Sequence, residues 1–483
     1  MDLQLESLQN NPNLKTILKL AQKNKQKVYL VGGFLRDLIL NRNKEKNFDL
    51  DFAVSKQAMK LAKSFARNIH GAFVVLDKER GYARVVKNLE NKSFTFDFAN
   101  LRGKNIKQDL QLRDFTINTL ALNLECLKTA QNLSKVLLSP FKGLEDLKKS
   151  RIRMVNRQSF LDDPLRLLRA FSLSAQLDFV IEPKTLKRIR QLAKKIQDVA
   201  YERIRDEFFK ILKISHSIDF IRQMDKVKIL DKVIPQIRAM YGVKQGPYHH
   251  LDVFRHSLEA LAQLERLVAE LSNHQKIQDY LREVIAANRT RLSLVKLGAL
   301  LHDIGKPKAK KRLEGKTVFY GHERLGRKIS DNIADMLKLS TREKFALEKL
   351  IFWHLRPGYL AEKSFPTSRA IFRFFRDAEE EAPAILLIGI ADQRATRGPL
   401  TAHSNRIHHE KVVMDLIDYY FKKQEEKPFV RLIDGNDLIK KLKLTPGPIF
   451  AKILREIEEA QAEGSIKTKQ EALELAGKIA KRQ

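Results

Sequence analysis

The sequence predicts an α/β head followed by a long, almost wholly helical body. Three observations carry that expectation. Residues 28–150 mix short apolar strand candidates with helical segments. From about Arg151 onward the apolar residues recur at helical spacing, and Pro164, Pro183, Pro235 and Pro247 fall near helix starts or breaks. At 483 residues the chain is too long for one hydrophobic core, so three or four domains are expected.

Residues 1–27 read as one helix, with Leu14, Ile17, Leu18 and Ala21 on one face. Strands are expected at Val28–Val31, Phe48–Val54, Ala72–Leu76, Tyr82–Lys87 and Ser93–Phe98, with a short helix carrying Arg36 and Asp37 between the first two. Lys422–Lys427 (KKQEEK) reads as a linker. The expected divisions are an N-terminal helix (1–27), a head (28–150), a helical neck (151–228), a second helical domain (229–421) and a helical tail (428–483). No repeat architecture is visible.

Lys and Arg number 91 against 58 Asp and Glu, a formal charge of +33. Such an excess implies a polyanionic partner. The basic residues are spread along the whole chain, which suits a large folded RNA better than a membrane surface. Hydrophobic content of 43% is that of a globular protein, and no apolar run is long enough to cross a bilayer. The first residues lack the basic-then-apolar order of a signal peptide. Cys126 is the one cysteine, which excludes an internal disulfide framework; a reducing cytoplasm is expected, with Cys126 as a packing residue.

The chemistry begins at Val28–Val54. An apolar strand runs into Gly32-Gly33, a short helix follows, and the next strand presents Asp49 and Asp51. Residues two apart on a strand share a face, so the two carboxylates stand side by side. Their repulsion is relieved by a divalent cation; Mg2+ is typically held by one or two carboxylates together with nucleotide phosphates. Gly32 and Gly33 have no Cβ, so their backbone N–H groups are able to approach a triphosphate. An Asp-X-Asp pair or a Gly-Gly turn alone is common; their order and spacing point to metal-assisted nucleotidyl transfer. Asp97, in the β-rich run FTFDFANLR, is a candidate third carboxylate, with an ordinary surface Asp as the competing reading.

Residues 113–120 read RDFTINTL. Arg113 has the planar fork suited to phosphate oxygens. Asp114 and Asn118, four apart, are expected on one helical face, bracing the turn that aims Arg113. In DDPLRLLRA, residues 162–170, Asp163, Arg166 and Arg169 fall at i, i+3 and i+6 and are expected along one stripe of a helix. A carboxylate accepting from an exocyclic amine and a guanidinium donating to ring acceptors are able to read a base edge. A surface salt bridge is the plain alternative.

With Arg36-Asp37 included, the head resembles the DNA polymerase β-like nucleotidyltransferases, and within them the class II tRNA nucleotidyltransferase and bacterial poly(A) polymerase family. The resemblance rests on the Gly-Gly turn, the Asp-X-Asp strand, RDFTIN and DDPLRLLRA, and it extends to SLSAQLDFVIEP and YERIRDEFFKIL in the neck. It implies that Asp49, Asp51 and Asp97 are catalytic with Mg2+ and that Gly32, Gly33, Arg36, Asp37 and Arg113 bind nucleotide. It implies that Asp163 and Arg166 pair with the base of CTP or ATP while Arg169 helps hold the nucleotide. Glu202, Arg203, Arg205 and Glu207 read as structural. The family's motif begins Arg-Arg, whereas here the first position is Leu112.

A second constellation lies in the helical body: His256, His302-Asp303, His322, His354 and Asp392. Imidazoles and carboxylates in this order suit a divalent transition metal and phosphoester cleavage. The pattern resembles the HD phosphohydrolase domain, with Gly305-Lys306 following the His-Asp pair and Lys306 placed to contact a phosphate. His249 and His250 lie nearby in sequence. The segment GNDLIKKLKLTPGPIFAKILREIEEAQAEGSIKTK resembles the tail of nucleotidyltransferases that carry an HD domain, and is expected either to clamp RNA or to pack on that domain.

The whole resemblance implies a template-independent enzyme that adds CCA to the tRNA 3′ end from CTP and ATP. Resembling CCA-adding enzymes carry a longer flexible loop where this chain has only the ten residues between Arg102 and Arg113; a short loop resembles CC-adding specialists. Full CCA addition and CC-only addition both stand. Poly(A) polymerase, a uridylylating regulator and an RNA-binding scaffold with dead sites are further alternatives. Against the first stands GAFVVLDKERGYARVV where a basic stretch is expected; against the second, RDFTIN and DDPLRLLRA; against the third, the intact acids and arginines.

Overall fold

The computed structural model describes residues 2–42, 47–89, 92–246, 250–362, 366–397, 403–426 and 430–481. His249, Pro247 and Pro428 lie outside the described residues. The N-terminal segment is two helices, Asp2–Asn10 and Pro12–Lys23, and not the single helix expected. Pro12 restricts Asn11 to extended backbone and has no N–H to continue the helix. Asn11 then caps the second helix by accepting from the backbone N–H groups of Asn13 and Leu14.

The head is a mixed seven-stranded sheet: β1 (Val28–Val31), β2 (Asn47–Val54), β3 (Ala72–Asp77), β4 (Tyr82–Leu89), β5 (Lys92–Asn100), β6 (Ala121–Asn123) and β7 (Leu137–Leu138). The spatial order is β3-β4-β5-β2-β1-β6-β7. β2 and β5 run parallel, with Asp51 opposite Asp97, and β1 is antiparallel to β2, with Val31 opposite Asp51. Strand alternation divides the side chains. Leu50, Phe52, Phe96 and Phe98 are buried, with Phe65 of the helix Ala58–Ile69 packed on Phe96 and Phe98. Asp49, Asp51 and Asp97, at the alternate positions, fall on the other face. Helix packing on one face thereby leaves the opposite face to the acids.

The strand pair β8 (Arg151–Ile152) and β9 (Val180–Ile181) ties the segment after the head to the helix Arg166–Leu177. Asp163 is not on that helix. Its backbone is extended (φ −148°, ψ 98°), because the residue before a proline is driven from helical geometry, and the helix begins only at Arg166. Asp114 is likewise outside a helix; a single 3-10 turn spans Thr116–Asn118.

Contacts divide the chain into two compact units, Met1–Ile211 with Met224–Lys232 and Leu212–Gln223 with Val233–Gln483. Among its described residues the second unit is helical apart from two short ribbons that the sequence pattern did not predict. These are β10 (Val284–Ala286) with β11 (Arg289–Thr290), and β12 (Lys311–Leu313) with β13 (Lys316–Val318). Its central helix, Ala382–Ala395, buries Ile385, Leu386, Leu387, Ile388 and Ile390 completely. The helix His403–Glu425 runs through most of the expected 422–427 linker, and Lys427 lies outside the described residues. No helix among the described residues is long and apolar enough to cross a membrane.

The tail holds a small core of its own, Ile433, Leu438, Ile453, Ile457, Ile466, Ala472, Ala476 and Ile479. It is fastened to the helix Ser368–Ala378 by Glu459, which is 3% exposed and accepts from Arg369 (3.0 Å), Arg373 (2.5 Å) and Arg376 (3.1 Å). Burial opposes ionisation of Glu459, yet the three guanidinium groups bring its pKa down to about 2. Its stabilising contribution is therefore complete above about pH 4.5, the ordinary glutamate value, and is lost as pH falls toward about 2. Glu459→Gln should cost the tail ~2 kcal/mol, the scale of hydrogen bonds to charged groups. Hydrogen exchange should then quicken in Pro448–Ala462 while the head strands are unchanged. Equal exchange in both proteins counts against the clamp.

Candidate functional sites

The head site is a polar cavity of about 350 Å3, lined by Gly32, Gly33, Arg36, Asp51, Arg113, Asp163, Arg166 and Arg169 among others. Those residues were expected together from their motifs, and the fold brings them together. Asp49 is on the same strand face but exposed, and is not part of the cavity wall.

Gly32 sits at φ +82°, ψ −145°, a region open only to glycine. A Cβ there would stand 3.0 Å from Asp51 Oδ2 and 3.3 Å from Arg113 Nη1. The missing side chain thus lets the β1 turn close over Asp51. Burial, with Asp97 and Asp49 adding to it against the pull of Arg113 and Arg169, pushes the Asp51 carboxyl up to about 6. A carboxylate so disfavoured by its surroundings fits a cation site. Asp97 is beside it, but its oxygens are engaged: Arg84 donates from Nε and Nη2, each at 2.8 Å, and the Tyr82 hydroxyl donates at 2.7 Å.

Asp114 organises the rest. Its Oδ1 accepts from Phe115 N (2.7 Å) and Asn118 Nδ2 (3.0 Å), so the expected 114–118 contact forms without a helix beneath it. Its Oδ2 is 3.0 Å from Arg169 Nε. Burial raises its proton affinity, but Arg169, Asn118 and the Phe115 N–H outweigh this and hold the carboxyl below its usual range. Asn118 Oδ1 in turn accepts from Arg36 Nη1 (2.8 Å), and Arg36 forks onto Asp37 with two 2.8 Å bonds. Arg166 donates to Ser159 O and Oγ and to Leu112 O. The Leu112 carbonyl thus takes part at the position where the resemblance led an arginine to be expected. Asp163 Oδ2 accepts from Arg203 Nη2 at 2.9 Å.

Sequence reasoning missed several lining residues. Ser172 and Gln176 extend the Arg169 stripe at helical spacing, a signal that was present. Glu207 and Lys210, also in the wall, bond to each other, and Glu207 accepts from Ser172. Arg102 lines the cavity and, with Arg113, meets the buried Asp109.

The second site gathers all six expected groups. They fall into two triads, His256–His302–Asp392 and Asp303–His322–His354; within each triad the donor atoms lie within 4.8 Å of one another. Asp303 stands between them: its Oδ2 is 3.3 Å from His302 and 3.7 Å from His256, its Oδ1 3.4 Å from His322 and 3.7 Å from His354. His302, His322 and His354 each direct Nδ1 at the carbonyl three residues earlier, Ala299, Phe319 and Ile351, at 2.8, 2.9 and 2.6 Å. A carbonyl only accepts, so Nδ1 carries the proton and Nε2 presents its lone pair inward. Both Asp303 oxygens and His302 Nε2 are buried without a hydrogen bond of good geometry, although Lys306 Nζ forms an ion pair with Asp303 at 2.7 Å. Orphaned donors of this chemistry fit divalent metal. A cavity of about 550 Å3 opens onto Asp303, His354 and Asp392, with Lys306, Tyr359 and His409 in its wall. His250 is exposed and in none of these groups.

Four family patterns match in order along the chain. They are the Poly A polymerase head domain (28–153), the probable RNA and SrmB-binding site of polymerase A (178–240), the HD domain (253–420) and tRNA nucleotidyltransferase domain 2, putative (430–476). An A-adding tRNA nucleotidyltransferase of Deinococcus radiodurans is 32% identical, covering 92% of this chain and 93% of that protein. A CC-adding tRNA nucleotidyltransferase of Geobacter sulfurreducens is 30% identical over 98% and 96%. Among solved structures, the Thermotoga maritima CCA-adding enzyme complexed with tRNA superposes with a TM-score of 0.63 at 21% identity, covering 100% of this chain and 98% of that one.

Gly32→Ala places a side chain in a conformation that costs ~1–3 kcal/mol and against Asp51 and Arg113. The variant should keep the circular dichroism of the parent and lose nucleotide transfer. Unchanged transfer would show that the close approach of β1 to Asp51 is dispensable.

Proposed function

Since the chain belongs to the class II tRNA nucleotidyltransferase family with an HD domain, we propose that it builds the CCA terminus by adding cytidylates from CTP to the tRNA 3′ end. The observation that carries the reading is the single cavity in which the Asp-X-Asp strand, Arg113 and the Asp163–Arg166–Arg169 group converge. Asp49 and Asp51 would hold Mg2+, which when bound would supply Lewis acidity toward the RNA 3′-hydroxyl and the triphosphate. Arg113, held by Asp109, grips phosphate oxygens, and Gly32 leaves the room they need. Arg166, pinned by Ser159 and Leu112, and Asp163, oriented by Arg203, offer a donor and an acceptor to the base edge. Arg169 is fixed by Asp114 beneath the nucleotide. Asp97 stands beside Asp51 and would serve as a third carboxylate only if it gave up Arg84 and Tyr82; as found, it shapes the charge around Asp51. The 3′ oxygen attacks the α-phosphorus and pyrophosphate leaves, with no covalent enzyme intermediate.

Addition of cytidylate without the final adenylate is favoured by the segment between Arg102 and Arg113. It is short and ordered: Asn105 caps a helix, Ile106–Gln111, and the buried Asp109 accepts from Arg102 and Arg113 at its two ends. The resemblance ties the switch from CTP to ATP to a longer, flexible loop at this place. Full CCA addition remains the second reading, supported by likeness in fold to a CCA-adding enzyme and in sequence to an A-adding one. For the second site we propose metal-dependent phosphoester hydrolysis, in which His256, His302, Asp303, His322, His354 and Asp392 would hold the metal and the metal would supply an activated water.

One gel separates the readings. On tRNA ending before CCA, CTP alone should give two additions, and ATP should add nothing further. A third addition with both nucleotides marks the complete enzyme; addition only of ATP, to tRNA ending in CC, marks an A-adding one; a long A-tail overturns the tRNA reading. Asp49→Ala with Asp51→Ala should abolish addition and leave hydrolysis of bis-p-nitrophenyl phosphate intact. Asp303→Asn should do the reverse and lower the bound metal measured by elemental analysis. Loss of both activities in either variant counts against two independent sites.

A further inference from the structure

Between Asp303 and His322 the chain makes a detour that metal ligation does not require. Residues 306–320 hold Lys306, Lys308, Lys310, Lys311, Arg312 and Lys316 against one acid, Glu314. They form the β12–β13 ribbon, with Leu313 paired to Lys316 across a two-residue turn. Both turn residues have positive φ (Glu314 +48°, Gly315 +76°), as a type I′ hairpin turn needs. Lys308, Lys310, Lys311, Arg312 and Lys316 are exposed and make no ion pair among the described residues. Elsewhere on this unit exposed arginines commonly have acidic partners, as Arg342 has in Glu283 and Glu380. The ribbon is thus a concentrated, uncompensated positive surface.

Both feet of the ribbon are fixed at the metal cluster. At the outgoing foot, Lys306 bonds Asp303 and donates to Gln245 Oε1 at 2.7 Å. At the returning foot, Phe319 O accepts from His322 Nδ1, and Lys306 Nζ lies 5.7 Å from the centre of the Phe319 ring. Gly305 lets the feet meet, since a Cβ there would stand 2.0 Å from His322 O. Tyr320, 79% exposed, sits at the returning foot. Cations along an arm of ~10 Å, with an exposed aromatic ring at its base, are the parts from which single-strand grips are made: charge for the backbone and a ring face for a base.

We propose that the β12–β13 ribbon is an RNA-gripping arm of the HD site, so that the phosphoester entering the metal cluster is carried on an RNA strand and not on a free nucleotide. The substrate half of this inference rests on the hydrolytic reading of the cluster; the grip itself does not. Lys310, Lys311, Arg312 and Lys316 hold backbone phosphates, Tyr320 stacks on a base, and Lys306 passes the terminal phosphate to Asp303 and its neighbours.

The test uses full-length protein and a single-stranded RNA of about ten nucleotides, carrying 4-thiouridine and a 3′-phosphate. Photocrosslinking and peptide mapping should place crosslinks within residues 311–320. Lys310→Glu with Lys311→Glu and Arg312→Glu should weaken that crosslink at least about tenfold and lower its salt dependence by the slope of about three phosphate contacts. CTP addition to tRNA and hydrolysis of bis-p-nitrophenyl phosphate should be unchanged. The corresponding triple alanine variant reads the same crosslink should the charge reversal disturb folding. KM for phosphate release from the RNA should rise with kcat preserved. Crosslinks absent from 311–320, or equal in parent and variants, overturn the arm; so does tighter ribbon-dependent binding to phosphatidylserine vesicles than to RNA. If no phosphoester is hydrolysed with Mg2+, Mn2+, Co2+ or Ni2+ while the crosslink behaves as stated, the hydrolytic reading fails and the arm stands.

Discussion

The head site depends on one buried carboxylate, Asp114. Few acids are buried without partners, because losing water costs a charged group more than burial returns. Asp114 is satisfied by Arg169, Asn118 and the Phe115 N–H. Those three partners reach in different directions. Arg169 belongs to the helix after DDPLR, and Asn118 carries the connection on to Arg36 in the helix after the Gly-Gly turn. The Asp114 carbonyl accepts from Val155 N and Ser159 Oγ, and Ser159 is the group that pins Arg166. Motifs scattered over more than a hundred residues of sequence are thus held in register by the carboxylate and the main-chain carbonyl of one residue.

That dependence explains what was legible in the sequence. Strand alternation requires Asp49 and Asp51 to share a face wherever β2 ends up, and RDFTIN and DDPLRLLRA showed which arginines would converge on it. The helical reading of Asp163 failed locally: Pro164 forces the residue before it to be extended, so Asp163 reaches the cavity as the end of a turn, oriented by Arg203. The contact between Asp114 and Asn118 was right and its scaffold wrong, because a 3-10 turn also brings such residues together. The Arg84–Asp97 pair was hidden for another reason. Both residues lie on strands with clear alternation, but only the register of β4 against β5 places them opposite one another, and register is a property of the sheet and its turns.

The two candidate metal-binding groups differ in the surroundings that the fold gives them. In the head, the carboxylates offer oxygen alone, Asp51 from the wall of a polar cavity and Asp49 from the exposed part of the same strand face. In the HD unit, four imidazoles and Asp303 are almost wholly buried, and Asp392, whose side chain is 23% exposed, lines the adjoining cavity. The order of these residues was visible in the sequence, whereas their division into two triads around Asp303 was not, since it follows from which helix end each one occupies. His302 and His354 fall just past the ends of Arg291–Leu301 and Thr341–Trp353. There the carbonyl three residues back lacks its usual helical partner and takes the Nδ1 proton instead. Helix termination, tautomer and ligand direction are one event at these positions.

On the proposed cytidylate-adding reading, the number of nucleotides added would be decided in the short segment between Arg102 and Arg113. A site that accepts first one base and then another must change the acceptor and donor pattern it presents, and some element has to move for that to happen. Arg113 and Arg166 are candidates for such movement by their position in the cavity, but Arg113 is tied to Asp109 and Arg166 to the Leu112 carbonyl. Asp109 also holds Arg102, so the segment that would drive a rearrangement is closed on itself by a buried carboxylate. Opening it would leave Asp109 buried with at least one partner removed, a penalty that a longer, more exposed loop would not meet. The same contacts that stabilise the short segment would therefore work against a second base specificity, and on the proposed reading this restraint on Arg113, next to Gly32 and Asp51, would link a local salt bridge to the length of the product.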